Sequence, residues 1–134
     1  MTFLLGDFLK AHAARAWAPG DVDCCLVLAD WAQALGHDDP AEHLRGVYED
    51  DAGFFAIIER SGGVVPLVAS CAVKVGQAVD RPRAGDIGVI GSGVNMRRQF
   101  GAIFDGSRWW VRNAQGFVPM TARMLACWRL KCLT

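Results

Sequence analysis

Hydrophobic positions recur at helical spacing through the first half of the chain and predict helices there. The first predicted helix covers residues 3–16, because apolar side chains return every three or four positions. A second helix is expected over residues 24–35, with apolar residues almost all round it, which is typical of a buried central helix. Asp21 or Asp23 is a natural N-cap for this helix, and Gly36 is a natural residue just after its end.

Three further segments complete the predicted helical half. Residues 40–44 are expected to form a short helix opened by a proline, which suits the first helical position. Acidic residues at 49–51 precede a helix over 52–60, where negative charge favours the positive end of the helix dipole. A last helix is predicted over 64–75, with Pro66 in its first turn, where a helix tolerates proline.

Near residue 78 the pattern changes to short apolar runs that predict β-strands. Strands are expected over 87–90, 100–104, 108–112 and 117–120. Asp105-Gly106 lies between two of these runs and is a strong hairpin signal. The tail, residues 121–133, is predicted to hold one helical turn and a last strand over 127–130.

Length and composition agree with one folded domain. The chain has 134 residues, of which 52% are hydrophobic and 21% charged, and this excludes disorder over most of its length. Because helices come first and antiparallel strands follow, we expect an α+β domain, mainly helical over 1–77 and mainly β over 78–134. No apolar run approaches the ~20 residues of a membrane helix. Neither a membrane span nor a signal peptide is expected.

The charges cancel in sum but are unevenly distributed. Residues 1–67 carry 11 acidic and 4 basic side chains, whereas residues 68–134 carry 3 acidic and 10 basic. A net charge of zero argues against a nucleic-acid partner. The asymmetry leaves two interpretations open: oppositely charged surfaces that attract each other or dock a partner, or a chance division of solvated faces.

Two tryptophans in succession, Trp109-Trp110, alternate across a predicted strand, so one should be buried and the other exposed. Four arginines are close to them in sequence: Arg97, Arg98, Arg108 and Arg112. The combination predicts either a basic aromatic face that binds a partner or an ordinary solvated strand face.

The candidate chemistry centres on one of the five cysteines. None of them forms a Cys-x-x-Cys pair, and the glycine-rich segments lack the Lys-Ser/Thr of a phosphate loop, so neither a metal site nor a cofactor is predicted. Cys24 differs from the others because it lies in the first turn of the predicted central helix. Backbone N–H groups and the helix dipole there stabilise a thiolate, as a nucleophile requires. The alternative is a buried structural cysteine.

Three segments together resemble the NlpC-type, papain-like cysteine peptidases, which hydrolyse cell walls. Asp23-Cys24 before an apolar helix is similar to their nucleophile motif, although Cys25-Leu26 stands where Ser-Gly is usual. Residues 83–87 resemble the Pro-Gly-Asp-Leu segment before the first core strand, and residues 100–106 resemble the histidine strand His-Val-Gly-Ile-Tyr-x-Gly. With residues 44–48 added, the pattern looks most like a small domain family of unknown function from phages, prophages and gene-transfer-agent-like tail clusters.

This resemblance implies a papain-like fold, in which a helical half with cysteine at the start of a central helix packs on an antiparallel sheet. It assigns Cys24 as the nucleophile, with Asp23 capping the helix or tuning the thiol. Asn113 falls near the position of the polar residue that orients the histidine. The histidine position itself is Phe100, and a cysteine peptidase needs a base there to form the thiolate and protonate the leaving amine.

Two functions therefore stay open. The first is a catalytically degenerate structural or binding component of a phage tail tip. Its implied partners are other tail proteins and cell-wall peptidoglycan, with synthesis in the bacterial cytoplasm and assembly into the virion tail. The second is an active thiol-dependent peptidoglycan peptidase that uses Cys24 and takes its base from His12, His43 or another chain. The missing histidine favours the first.

Overall fold

Helices and strands segregate along the chain in the computed structural model, which describes residues 2–133, with side chains from residue 4 onward. The α-helices are α1 (Thr2–Ala13), α2 (Leu26–Ala34), α3 (Asp51–Ser61) and α4 (Val64–Ala72), and short 3-10 helices lie at Glu42–Leu44 and Met96–Arg98. The strands are β1 (Gly76–Ala78), β2 (Ile87–Gly91), β3 (Gln99–Phe104), β4 (Trp109–Asn113), β5 (Gly116–Met120) and β6 (Met124–Leu130). The predicted α+β class is confirmed.

Local sequence signals account for most helix ends. The Asp50 carboxylate accepts the Gly53 N–H at 2.8 Å and caps α3, and Gly62 closes the same helix with a φ of 88°. Helix α1 ends at Ala13, three residues before the predicted end at residue 16. There the guanidinium of Arg112 donates to the carbonyl oxygens of His12 and Arg15.

The six strands form one antiparallel sheet in the order β1-β6-β2-β3-β4-β5. The predicted helical turn in the tail is wrong. Residues 124–126 belong to β6, where Ala126 pairs with Val89 and Met124 with Ile90 across a bulge. Strand β1 was not predicted, because three residues are too few to show a strand periodicity.

The predicted hairpin at Asp105-Gly106 is confirmed. Phe104 pairs with Trp109 across it, and the Asp105 carboxylate receives the Trp110 indole N–H at 2.8 Å and two backbone N–H groups of the turn. Burial alone would raise the pKa of Asp105, but these donors outweigh it and lower the pKa. Trp109 is buried as one of the pair was predicted to be, but Trp110 is half-buried and not exposed, because its indole N–H is held by Asp105.

Two clusters of apolar side chains hold the layers together. The larger one joins the helices to the sheet around Trp31, which has no exposed surface. The Trp31 indole N–H donates to the Gly85 carbonyl at 2.8 Å and fixes α2 to the turn before β2. The smaller cluster is built around Ile90 and Trp109, and Cys24 packs against it. The start of α2 is thereby seated on the sheet.

Within the described residues, no helix on its own has the length and apolar character to cross a membrane. Only α3 and α4 taken together are long and apolar enough, and their axes are bent by 78° at the break between them.

Candidate functional site

The start of α2 is organised by one carboxylate. The Val27 N–H donates to the Asp23 carbonyl at 3.2 Å, so helical hydrogen bonding begins at Asp23. Oδ1 of Asp23 then accepts the N–H groups of Cys25 at 3.0 Å and Leu26 at 2.8 Å. Asp23 therefore closes the turn that leads into α2, and Cys24 lies in that turn, two residues before the helix begins at Leu26 and not inside the helix as predicted.

The second oxygen of Asp23 is also fully used. Oδ2 accepts the Gly20 N–H at 2.9 Å and the Tyr48 hydroxyl at 2.6 Å, and the residue is only 5% exposed. Burial, together with the adjacent Asp23 charge, raises the pKa of Tyr48, so the phenol keeps its proton and remains a donor. Because four donors occupy its two oxygens, the Asp23 carboxylate is a structural acceptor here.

The adjacent cysteines belong to different environments. Cys24 packs against the smaller apolar cluster, whereas Cys25 packs against the larger one. The neighbouring Cys24 thiol, followed by burial, raises the pKa of Cys25 well above its ordinary value. Cys25 therefore keeps its proton. Within residues 2–133, no acceptor takes the Cys24 backbone N–H.

Strand β3 is pressed against the start of α2 at a glycine. A Cβ on Gly101 would lie 2.4 Å from the Cys24 carbonyl oxygen, so no larger residue fits without a shift. This contact brings the preceding residue, Phe100, to the same surface as Cys24. This close packing explains why residue 101 is a glycine, whatever the chemistry of the site.

Strands β3 and β4 pair only next to their hairpin. Ile103 pairs with Trp110 and Phe104 with Trp109, and the ladder stops there. If the same register continued, Phe100 would face Asn113. The lengths of β3 and β4 that do not pair with each other instead line a cleft.

The cleft has a volume of about 380 Å³ and is open to solvent. The three predicted site residues, Asp23, Cys24 and Asn113, all line it, and so does Phe100. Apolar and aromatic side chains from α3, β5 and the connecting segments form most of the remaining lining: Trp17, Pro19, Tyr48, Phe54, Phe55, Val118 and Met120. The charged residues Asp51, Arg97 and Arg112 also line the cleft. A concave, largely apolar cleft with a few polar groups is the usual form of a ligand site.

Asn113 has a task of its own in the β4–β5 turn. Its side-chain oxygen accepts the Gln115 N–H at 2.9 Å, which shapes the turn. An amide that orients a histidine must offer this same oxygen to the imidazole N–H. In this structure the oxygen already accepts one hydrogen bond, which leaves it a single lone pair for any further donor.

The three histidines lie outside the cleft lining. His12 is buried, with Nε2 at 2.8 Å from Asp30 and Nδ1 accepting Arg112 Nε–H at 3.0 Å, so both of its nitrogens are engaged. His37 bonds to the Lys131 carbonyl beyond the far end of α2. His43 is exposed in the first 3-10 helix. None of the described residues that line the cleft is a histidine.

Arg112 corrects the predicted basic aromatic face. It is 1% exposed and points inward, so it contributes no charge to a surface. Its guanidinium donates to His12 Nδ1 and to the carbonyls of His12, Arg15, Asn113 and Gly116. Burial, followed by the nearby Arg15 charge, lowers the pKa of Arg112. Sequence reasoning missed this role, and an isolated arginine on a strand carries no signal for it.

Among the described residues, no cluster of three or more His, Cys, Asp or Glu side chains has the geometry to hold a metal ion.

Sequence comparison gives a family but no function. The model of a protein family described as "Domain of unknown function (DUF6950)" matches residues 3–130. No curated protein and no solved structure gives a significant match to the chain.

Proposed function

The chain belongs to the DUF6950 family, a domain family of unknown function, and on the geometry of its cleft we propose that it is an NlpC-like, papain-like domain that has lost hydrolysis. It acts as a binding component of a phage or prophage tail tip, where the cleft holds a peptide or a segment of a tail protein. The fold class and the position of Cys24 at the start of the central helix support the papain-like assignment.

One observation carries the proposal: the cleft that contains the thiol contains no histidine among the described residues. Phe100 takes the position from which a histidine would face Asn113, and phenylalanine neither accepts nor returns a proton. His12 is held between Asp30 and Arg112, and Asp23 has its oxygens occupied by four donors. The cleft nevertheless remains open to solvent, and an open, largely apolar cleft favours a ligand-binding role over a purely structural one.

A second function has one specific observation in its favour. Cys24 lies on an open cleft, and its backbone N–H is left without an acceptor in residues 2–133. A free N–H at a helix start is what stabilises the oxyanion of a tetrahedral intermediate. An active thiol-dependent peptidoglycan peptidase, with the base supplied by a second chain, is therefore the alternative.

Purified sacculi separate the two functions. We expect the wild-type chain to release no soluble muropeptides above a Cys24→Ser variant, while it still pellets with sacculi or with purified tails of the encoding strain. The Phe100→His variant should gain release that Cys24→Ser removes again, because a positioned base contributes roughly 10²–10⁴ in rate. Cys71→Ser is the matched control, since Cys71 lies on α4 outside the cleft. Release by the wild type that depends on Cys24 would establish the peptidase instead.

Thiol alkylation of the native chain, mapped by mass spectrometry, tests whether the cleft is accessible. Cys24 should be labelled, because it lines the open cleft. Cys127 should stay unlabelled, because burial and the Asp86 charge raise its pKa to about 12. Cys25, whose pKa is also raised, should resist as well. A Cys24 that reacts only after unfolding would mean that the cleft is closed in solution, and the binding proposal would fail with it.

A further inference from the structure

Three exposed arginines and an exposed valine lie near the end of β2. Val94, in the β2–β3 connection, is 98% exposed. The carbonyls of Arg98 and Arg123 accept N–H groups from the end of β2 on both of its sides, and Arg97 is next in the chain to Arg98. Within residues 2–133, none of the three arginines forms an ion pair. Val94, Arg97, Arg98 and Arg123 are called the basic patch below.

The loop that carries the basic patch is held in one conformation by its own side chains. Ser92 Oγ accepts the N–H groups of Val94 at 3.2 Å and Asn95 at 3.0 Å, and the Gln99 amide donates to the Ser92 carbonyl at 2.7 Å. Asn95 in turn accepts the Arg97 N–H at 3.0 Å. A surface that is already ordered loses little conformational entropy on binding.

A second patch has the same composition with the opposite charge. Val47 is 52% exposed, and the consecutive residues Glu49, Asp50 and Asp51 are all exposed. In the described part of the chain these three carboxylates take part in no ion pair. Val47 and these three residues are called the acidic patch. Each patch is therefore one exposed valine beside three like charges.

The two patches lie on the same side of the molecule. Asp51 of the acidic patch and Arg97 of the basic patch both line the cleft. No ion pair joins the patches within residues 2–133. The Arg97 guanidinium stacks on the Phe55 ring, 4.2 Å from its centroid, so Arg98, Arg123 and the three carboxylates are the charges most available to another molecule. The net charge of the chain is zero, so two copies do not repel each other overall.

We propose that the occupant of these patches is a second copy of the same chain. A two-fold axis that runs along the cleft places each basic patch on the acidic patch of the other copy, and the two contacts are identical by symmetry. Such an interface closes on itself, so it gives a dimer and not a filament. The inference requires neither peptide binding nor catalysis, and it stands or falls separately from the proposed function.

Sedimentation velocity on the full chain tests the dimer directly. Over about 5–500 µM protein, the wild type should dimerise in low salt, and its dissociation constant should rise about tenfold or more at about 0.5 M NaCl, where exposed charges are screened. Arg98→Glu and Glu49→Arg should each weaken dimerisation by about tenfold or more, because each places like charges together twice in its dimer. Arg108→Glu is the matched control, since Arg108 is exposed at the opposite end of β3.

Mixing the two variants gives the decisive result. In a mixed dimer, the altered basic patch of the R98E chain meets the altered acidic patch of the E49R chain, so opposite charges again face each other there. The remaining contact in that dimer is the wild-type one, and the equimolar mixture should therefore dimerise as the wild type does. If circular dichroism shows that R98E is unfolded, Arg123→Glu replaces it. A wild type that stays monomeric, variants that dimerise normally, or a mixture that stays monomeric would each overturn the proposal.

Discussion

Replacing Asp23 by alanine is expected to cost ~3–7 kcal/mol of unfolding free energy, because this one carboxylate serves four donors in buried surroundings. Loss of an N-cap costs ~1 kcal/mol. The Gly20 N–H and the Tyr48 hydroxyl would also lose their acceptor, at ~1–3 kcal/mol for each buried group. A domain of this kind has ~5–15 kcal/mol in total, so the variant should be close to unfolding.

Urea unfolding followed by tryptophan fluorescence measures this cost, and Asp50→Ala is the matched control. Asp50 is also an N-cap, but it is exposed and accepts only the Gly53 N–H, so its loss should cost ~1 kcal/mol. Adding Tyr48→Phe to Asp23→Ala should recover ~1–2 kcal/mol relative to additivity, because phenylalanine leaves no hydroxyl unsatisfied. An Asp23→Ala cost no larger than that of Asp50→Ala, or a strictly additive cycle, would refute the reasoning.

Three further predictions concern the surroundings of the site. Arg112→Met should lower the free energy of unfolding by ~3–5 kcal/mol in urea, because it leaves buried acceptors without their donor. Burial alone would raise the pKa of Asp39, but Arg45 outweighs it and lowers the pKa, so this carboxylate stabilises the fold above its unfolded pKa of ~3.9. Stability should be lost as the pH falls through the folded pKa, and thermal melts of Asp39→Asn should show a shallower acid loss. Gly101→Ala should cost ~1–3 kcal/mol in the same urea assay through its clash with the Cys24 carbonyl, whereas Gly6→Ala, with nothing within 4 Å, should not destabilise.

Elements marked by local sequence signals were predictable. The hairpin at Asp105-Gly106 and the start of α3 each depend on neighbouring residues alone, and both form as predicted. The tail was misjudged because β6 is defined by its partners β1 and β2 and not by its own pattern. Whether a segment forms a strand depends largely on the surface against which it packs. Sequence periodicity therefore fails to predict a strand, such as β6, that is defined by the strands with which it pairs.

The candidate site likewise contains some features that the sequence predicts and others that it does not. The cap Asp23 and the position of Cys24 near the helix start follow from a short pattern before a helix, so they could be predicted. Tyr48 and Arg112 act on partners 25 and 100 residues away in the chain, at Asp23 and His12. Such contacts depend on how separate elements pack, and no local pattern reports them.

The absence of a catalytic histidine among the described cleft residues involves more than the one substitution at Phe100. His12 is buried and engaged on both nitrogens, so moving it toward Cys24 would deprive both Asp30 and Arg112 of a partner. The oxygen that would orient an imidazole, on Asn113, already accepts one bond from its own turn, so a single lone pair is left for a histidine. A histidine restored at position 100 would have the Cys24 thiol beside it and that one lone pair to orient it, which is why Phe100→His is the variant expected to gain hydrolysis. In the present chain the buried His12 is instead part of the packing of the fold, which is consistent with the proposed binding role.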